Sequence, residues 1–373
     1  METDVLVIGG GPAGLSAALS ARRLGAQVVL VDENPTLGGQ LVKQTHKFFG
    51  SKQHWCGVRG IDIATILFEL IKEEGVKIFL NSSAIGIYNE NGKKVAGIVN
   101  NERLISVKPK CIIVATGAQE NMLEFINNDL PGIYGAGAVQ TLVNVYGVPP
   151  GEKVLMIGSG NIGLIVSYQL MQAGIQVVGI VEAMSQIGGY LVHASKVRRL
   201  GIPIYTSHTI KEALGTDEVN GAIIVELDKD WSEVPGTEKK MDCDVICLAV
   251  GLTPSTELLW QAGCNMSYIS ELGGYVPWHN ELMQTSIPGI YVAGDASGVE
   301  EAVTAILEGK LAGASCVHEI TGVSRLVGKA EEITHQNLHE LKEFRKGPFG
   351  EKARVGKEKL KEIKSKIRSP KSE

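Results

Sequence analysis

One piece of sequence grammar occurs twice in this chain and limits what it can fold into. A short apolar run, Asp4-Val-Leu-Val-Ile8, stops at Gly9-Gly-Gly11-Pro12. Leu15 to Leu24 then has helical spacing, Gly25 follows as a stop, and Val28 to Val31 is a second apolar run. Runs this short, bounded by glycines, read as strands buried on both faces. Together they form β–α–β, the unit that builds a doubly wound parallel sheet. The same order returns in Val154-Leu-Met-Ile157, Gly158-Ser-Gly-Asn-Ile-Gly163, Leu164 to Ala173 and Val177 to Val181. The expected fold class is α/β with two Rossmann-like dinucleotide-binding domains and a C-terminal helical extension.

The glycines state what such a unit is for. A pyrophosphate must approach the backbone where a strand turns into a helix. Gly9 permits the tight turn, Gly11 has no Cβ to block the phosphate, and Gly14 lets helix and strand pack closely. Pro12 and Ala13 open the helix, whose free N–H groups and positive dipole end suit an anion. Asp32 ends the next strand about 20 residues on, where an acid can bond ribose hydroxyls, with Glu33 as the alternative. In the second copy Gly158, Gly160 and Gly163 take these places, Asn161 and Ile162 open the helix, and Glu182 is the strand-end acid. A carboxylate there pairs with a free 2′-OH and repels a 2′-phosphate. No Arg or Lys closely follows Glu182, which favours NAD(H) over NADP(H).

The bulk numbers agree. A chain of 373 residues suggests two or three domains. Its 45 glycines and 5% aromatics suit many tight turns better than a β-sandwich. The net charge of −5 offers no basic field for nucleic acid. No segment reaches the ~20 apolar residues of a membrane span, and Met1-Glu2-Thr3-Asp4 does not read as a signal peptide. The six cysteines form no C-x-x-C pair, so no metal site is expected, and Cys243 and Cys247 read as buried structural thiols. A cytoplasmic location is the expectation. A smaller echo links Leu130-Pro-Gly-Ile-Tyr134 to Ile287-Pro-Gly-Ile-Tyr291. Residues 214–242 read as a polar hairpin region. Near the end, Leu360, Ile363 and Ile367 lie at helical spacing in a Lys-rich stretch.

With these motifs in this order, the chain resembles the flavoprotein reductases with two dinucleotide-binding domains. In that resemblance Gly38-Gly39-Gln40 is the loop that touches the FAD pyrophosphate. Ala115-Thr116-Gly117 is where the chain leaves the FAD domain, and Gly251 lies at the return crossing. Gly294-Asp295 is the flavin-side motif whose acid bonds the ribityl chain. A helix starting at Ala302 would aim its positive end at the flavin N1/O2 edge, which gains negative charge on reduction. The implied domains are 1–117 with 252–325 for FAD, 118–251 for NAD(P), and 326–373 as a Lys-rich helical extension.

The redox Cys pair of the disulfide reductases has no counterpart between Gln40 and His46 or between Gly132 and Gly158. A closer resemblance is carried by Ala136 to Asn144, Ile187 to Tyr190, Leu248 to Trp260 and Ala293 to Glu301. These stretches look like the FAD/NAD(P)-binding subunits of hydrogen cyanide synthase, opine oxidase and dye-linked proline dehydrogenase. The resemblance implies an electron-relay subunit working with a partner flavoprotein dehydrogenase subunit. Many such subunits carry a Cys-rich iron–sulfur segment; here a separate small iron–sulfur protein would have to supply any cluster. A freestanding NAD(P)H:acceptor reductase and a structural subunit with a non-redox second nucleotide are the alternative readings. No catalytic acid is assigned, although Lys43, His46, Lys47, Phe48, Phe49, His54 and Trp55 could border the flavin or a partner.

Overall fold

The computed structural model describes residues 1–48, 51–321, 325–347 and 350–368. They form two compact units, one of residues 1–119 with 253–373 and one of residues 120–252.

In the first unit the strand Glu2–Ile8 lies between Val28–Val31 and Arg103–Val114, both parallel to it. Lys77–Phe79 and Ile290–Val292 extend the parallel part on either side. Ser82–Glu90 and Lys93–Asn100 add an antiparallel flap on Arg103–Val114. Val5, Leu6, Leu30, Ile112 and Ile113 are essentially inaccessible. Burial of each such side chain stabilises the fold by about 1.5–3 kcal/mol.

The helix Pro12–Arg23 covers this sheet and packs against the long helix Ala302–Thr321. Their approach explains the run of small residues. A Cβ on Gly309 would lie 2.1 Å from the Ala13 carbonyl oxygen, and one on Gly313 would lie 2.4 Å from that of Ala17.

The second unit repeats the plan with five parallel strands. Gln176–Glu182 and Val245–Leu248 flank Lys153–Ile157, with Ile204–Thr206 and Ile133–Gly135 outermost. The Pro-Gly-Ile-Tyr echo therefore marks equivalent edge strands: Ile133–Gly135 in one unit and Ile290–Val292 in the other. The polar region 214–242 is part of a three-stranded antiparallel sheet of His208–Leu214, Gly221–Glu226 and Lys239–Met241.

The C-terminal extension is helical, as the spacing of Leu360 and Ile363 indicates. Two helices, Arg325–Lys346 and Glu351–Arg368, belong to the first unit. Leu360 is buried with Ile269, Leu272, Val276 and Trp278, and Ile363 packs against them. The Ile367 side chain and Phe49 lie outside the described residues. Among the described residues no helix is long and apolar enough to cross a membrane, and no three potential ligands converge on a metal position.

Candidate functional site

The two glycine turns have the same construction. Gly9 and Gly158 have φ of +103° and +104°, a region open to glycine. A Cβ on Gly14 would stand 1.7 Å from the Gly9 oxygen, and one on Gly163 would stand 2.1 Å from the Gly158 oxygen. These glycines hold helix against turn. Gly11 and Gly160 differ. A Cβ on Gly11 would meet only the Gly39 Cα, at 3.8 Å, and one on Gly160 would meet nothing within 4 Å. Each is the N-cap of its helix, in extended backbone, with no side-chain cap and no acid in the first turn. The structure thus leaves an open, uncapped helix start where a pyrophosphate needs one.

A second loop lies on each open face. A Cβ on Gly39 would come 2.8 Å from the Gly11 Cα, and one on Gly189 would come 3.0 Å from the Asn161 nitrogen. Asn161 Oδ1 accepts from the Tyr190 N–H at 2.9 Å. Gln40 and Ile162 are exposed at these rims.

The strand-end acids are also matched. Asp32 Oδ2 accepts from the Gly10 N–H at 2.5 Å, and Oδ1 accepts from the Asn34 N–H at 2.8 Å and its side-chain amide at 2.9 Å. Glu182 Oε2 accepts from the Ser159 N–H at 2.9 Å and its hydroxyl at 2.6 Å, while Oε1 accepts from the Met184 N–H at 2.9 Å. Each carboxylate ties its glycine turn to the following loop. An ionised carboxylate has about four acceptor positions, so each retains capacity for a ribose hydroxyl. Glu33 is exposed beside Asp32. Sequence reading missed Asn34 and Ser159, whose roles depend on the acid they bond.

In the first unit Ala115 and Gly294 adjoin the same turn. The Ala115 N–H donates to the Ile8 oxygen at 2.8 Å, and Thr116 Oγ1 donates to the Ser255 oxygen at 2.6 Å. The Ser255 N–H reaches the Gly117 oxygen at 3.0 Å. A Cβ on Gly294 would lie 2.8 Å from the Ala13 Cβ, so the Gly294-Asp295 turn abuts the first helix. Burial pushes the Asp295 carboxyl up to about 7, against the Glu300 N–H that bonds it at 3.4 Å. Glu308, Glu300 and Glu301 push it further in the same direction. The next helix starts at Ala302. In the second unit the Ala249 N–H donates to the Ile157 oxygen at 2.7 Å, as Ala115 does to Ile8. Gly251 accepts from the Asn121 N–H at 3.0 Å.

Between Lys43 and Arg59 the described residues are half-buried or exposed. Phe48 and Trp55 pack on the first core, and His54 stands 3.6 Å from Glu340 with its ring edge-on to Phe344. All six cysteines are free; Cys56 is exposed and the other five are buried.

Two units with this turn, acid and loop define a dinucleotide-binding flavoprotein fold. The model of the pyridine nucleotide-disulphide oxidoreductase family matches residues 3–309, and the chain belongs to that family of FAD-dependent oxidoreductases. The alpha chain of sarcosine oxidase from Corynebacterium sp. (strain P-1) is 28% identical over 330 residues, 84% of this chain and 32% of its own length. One of the opine oxidase subunits of Agrobacterium tumefaciens (strain Ach5) is 26% identical over 338 residues, 86% of this chain and 66% of its own. The chain thus spans from about a third to just under two thirds of these relatives. L-Proline dehydrogenase from P. horikoshii superposes with a TM-score of 0.67 at 26% identity, covering 90% of this chain and 59% of that one.

Proposed function

We propose that the unit of residues 1–119 and 253–373 holds FAD, that residues 120–252 hold NAD(H), and that the chain relays electrons between them and a partner flavoprotein. The observation that carries this reading is the matched pair of open glycine turns, each tied to its acid and faced by a second glycine loop. The partner would oxidise an amino acid or amine; the names of the sarcosine oxidase, opine oxidase and proline dehydrogenase relatives support that substrate class.

The residues divide the work. Gly11 and the helix start at Pro12 would take the FAD pyrophosphate, with Gly38, Gly39 and Gln40 closing over it and Asp32 or Glu33 on the ribose. Ala115, Thr116 and Gly117 would form the wall beside the turn. Asp295 would bond the ribityl chain, and the helix start at Ala302 would face the flavin's N1/O2 edge. Bound FAD would supply the ability to accept and release a hydride. Gly160, Asn161 and Glu182 would take NAD(H), with Gly251 at the crossing. The described cysteines supply no exposed pair for a disulfide route. A small iron–sulfur protein is the acceptor class proposed for single electrons.

Anaerobic stopped-flow absorbance of the FAD-loaded chain tests this. Rapid bleaching of the flavin by NADH, with NADPH at least tenfold slower, is expected. No bleaching by either nucleotide would refute electron exchange between the sites and leave the non-redox second nucleotide as the better reading.

A further inference from the structure

The C-terminal helices bring two cations from distant sequence to the back of the Gly294-Asp295 turn. Glu308 lies on the buried side of the helix Ala302–Thr321. Its Oε2 accepts from the Gly294 N–H at 2.9 Å and the Ser297 hydroxyl at 2.8 Å. Its Oε1 lies 2.6 Å from Arg345 Nη2 and 3.4 Å from Lys357 Nζ. Arg345 also forks onto Glu300, at 3.0 Å through Nε and 2.6 Å through Nη2. Lys357 donates to the Ser297 oxygen at 2.9 Å and its hydroxyl at 2.8 Å, and reaches His279 Nε2 at 3.2 Å. The side chains of Glu300, Glu308, Arg345 and Lys357 are at most 15% exposed.

Two carboxylates thus face two cations, and both carboxylate residues hold the turn: Glu308 at Gly294, and Glu300 through its backbone N–H on Asp295. Burial works against the charge on Glu308, but Lys357 and Arg345 outweigh it and keep the carboxyl below its usual range. A buried ion pair is poor evidence for stability, because an apolar replacement often serves as well. Its position behind this turn needs another reason.

We infer that Arg345 and Lys357 are positioning residues for the flavin: they neutralise Glu300 and Glu308 so that the turn and the helix start at Ala302 present a positive, fixed edge to it. This rests on the FAD assignment above and adds the C-terminal helices to that site. Without Lys357, Glu308 would remain as a buried, partly compensated negative charge beside the turn. Negative charge there opposes electron entry into the flavin, so its midpoint potential would fall.

The test is the FAD midpoint potential of the full, FAD-loaded chain against a reference dye, for the parent, Lys357→Met, Lys357→Arg and the double variant Lys357→Met/Glu308→Gln. Expected are a lower potential in Lys357→Met, a parent-like potential in Lys357→Arg, and recovery of most of the shift in the double variant. An unchanged potential in Lys357→Met, or an equal fall in the double variant, overturns the inference. If Lys357→Met folds without retaining FAD, retention by the double variant supports the inference and continued loss overturns it. A parent chain that binds no FAD would instead refute the assignment of the site.

Discussion

Replacing either of two glycines three residues apart in the second unit separates binding from folding. Gly160 has φ −63° and ψ 176°, which any residue adopts, and an added Cβ meets no atom within 4 Å. At an N-cap alanine typically costs about 1 kcal/mol against serine or aspartate, and glycine a few tenths, so the exchange itself costs roughly 0.5–1 kcal/mol. Restricting the unfolded chain returns about 0.4–1 kcal/mol. Gly160→Ala should therefore change stability by less than about 0.5 kcal/mol. On the proposed assignment its methyl would nonetheless occupy the face that receives the pyrophosphate. A clash of about 1–3 kcal/mol, the usual cost of overpacking, weakens NADH binding by roughly 5–150-fold. Gly163→Ala is the converse. Its Cβ would sit 2.1 Å from the Gly158 oxygen and 3.1 Å from the Gly158 carbon, backbone atoms that cannot rotate away. It should cost about 1–3 kcal/mol or more of stability. Urea unfolding followed by circular dichroism, with NADH titration by fluorescence on the same preparations, reads both quantities. If Gly160→Ala leaves NADH affinity within twofold of the parent, the open face is not the phosphate site. If it destabilises as much as Gly163→Ala, the distinction between the two glycines is wrong.

Other outcomes follow from single contacts. Glu182→Gln keeps one acceptor oxygen but disturbs the three hydrogen bonds from Ser159 and Met184; an NADH preference narrowing at least fivefold against NADPH, with a loss of about 1–3 kcal/mol, is expected by titration and urea unfolding. Burial, with Lys357 beside it, holds His279 down at about 3. Folding therefore favours the neutral ring, a contribution complete above pH 6.5 and lost as pH falls toward 3, at most about 5 kcal/mol. Asp295 runs the other way: with its folded value raised to about 7, its contribution is present below about pH 4 and lost as pH rises through 7. In the flavin-free chain, His279→Gln should improve relative stability toward pH 4 and Asp295→Asn toward pH 8; parallel pH profiles for both would contradict this. One thiol per native chain, Cys56, should react rapidly with an aromatic disulfide reagent, and six in urea; two or more fast thiols would show that a buried cysteine is accessible.

The paired glycine turns were legible because their chemistry is local. A phosphate-binding turn dictates residue types within six positions, and the strand and helix on either side leave their own periodicity. The Pro-Gly-Ile-Tyr echo was legible for a similar reason, and the structure places both copies as edge strands of equivalent sheets. The contacts of Glu308 were not legible, since Arg345 and Lys357 lie 37 and 49 residues away and nothing in a sequence names the pairing. Two signals were nevertheless present. Glu308 stands inside a buried run, Ala305-Ile-Leu-Glu-Gly309, on a helix whose other buried residues carry no charge. Lys357 shares a helical face with Ala353, Gly356 and Leu360, all buried, so its charge lies on the apolar side. A Lys-rich composition hid that one lysine among solvated ones. Ser159 and Asn34 were hidden differently, because small polar residues acquire meaning only beside the acid they bond.

The claim that two separable dinucleotide sites exist, one in each unit, is tested most directly by calorimetric titration. The flavin-free chain is titrated with FAD, and the FAD-loaded chain with NADH, for the parent, Gly11→Ala and Gly160→Ala. Expected are one FAD and one NADH per chain in the parent, weakened FAD binding in Gly11→Ala, and weakened NADH binding with FAD binding intact in Gly160→Ala. A single nucleotide per chain, or loss of the same ligand in both variants, would contradict the claim.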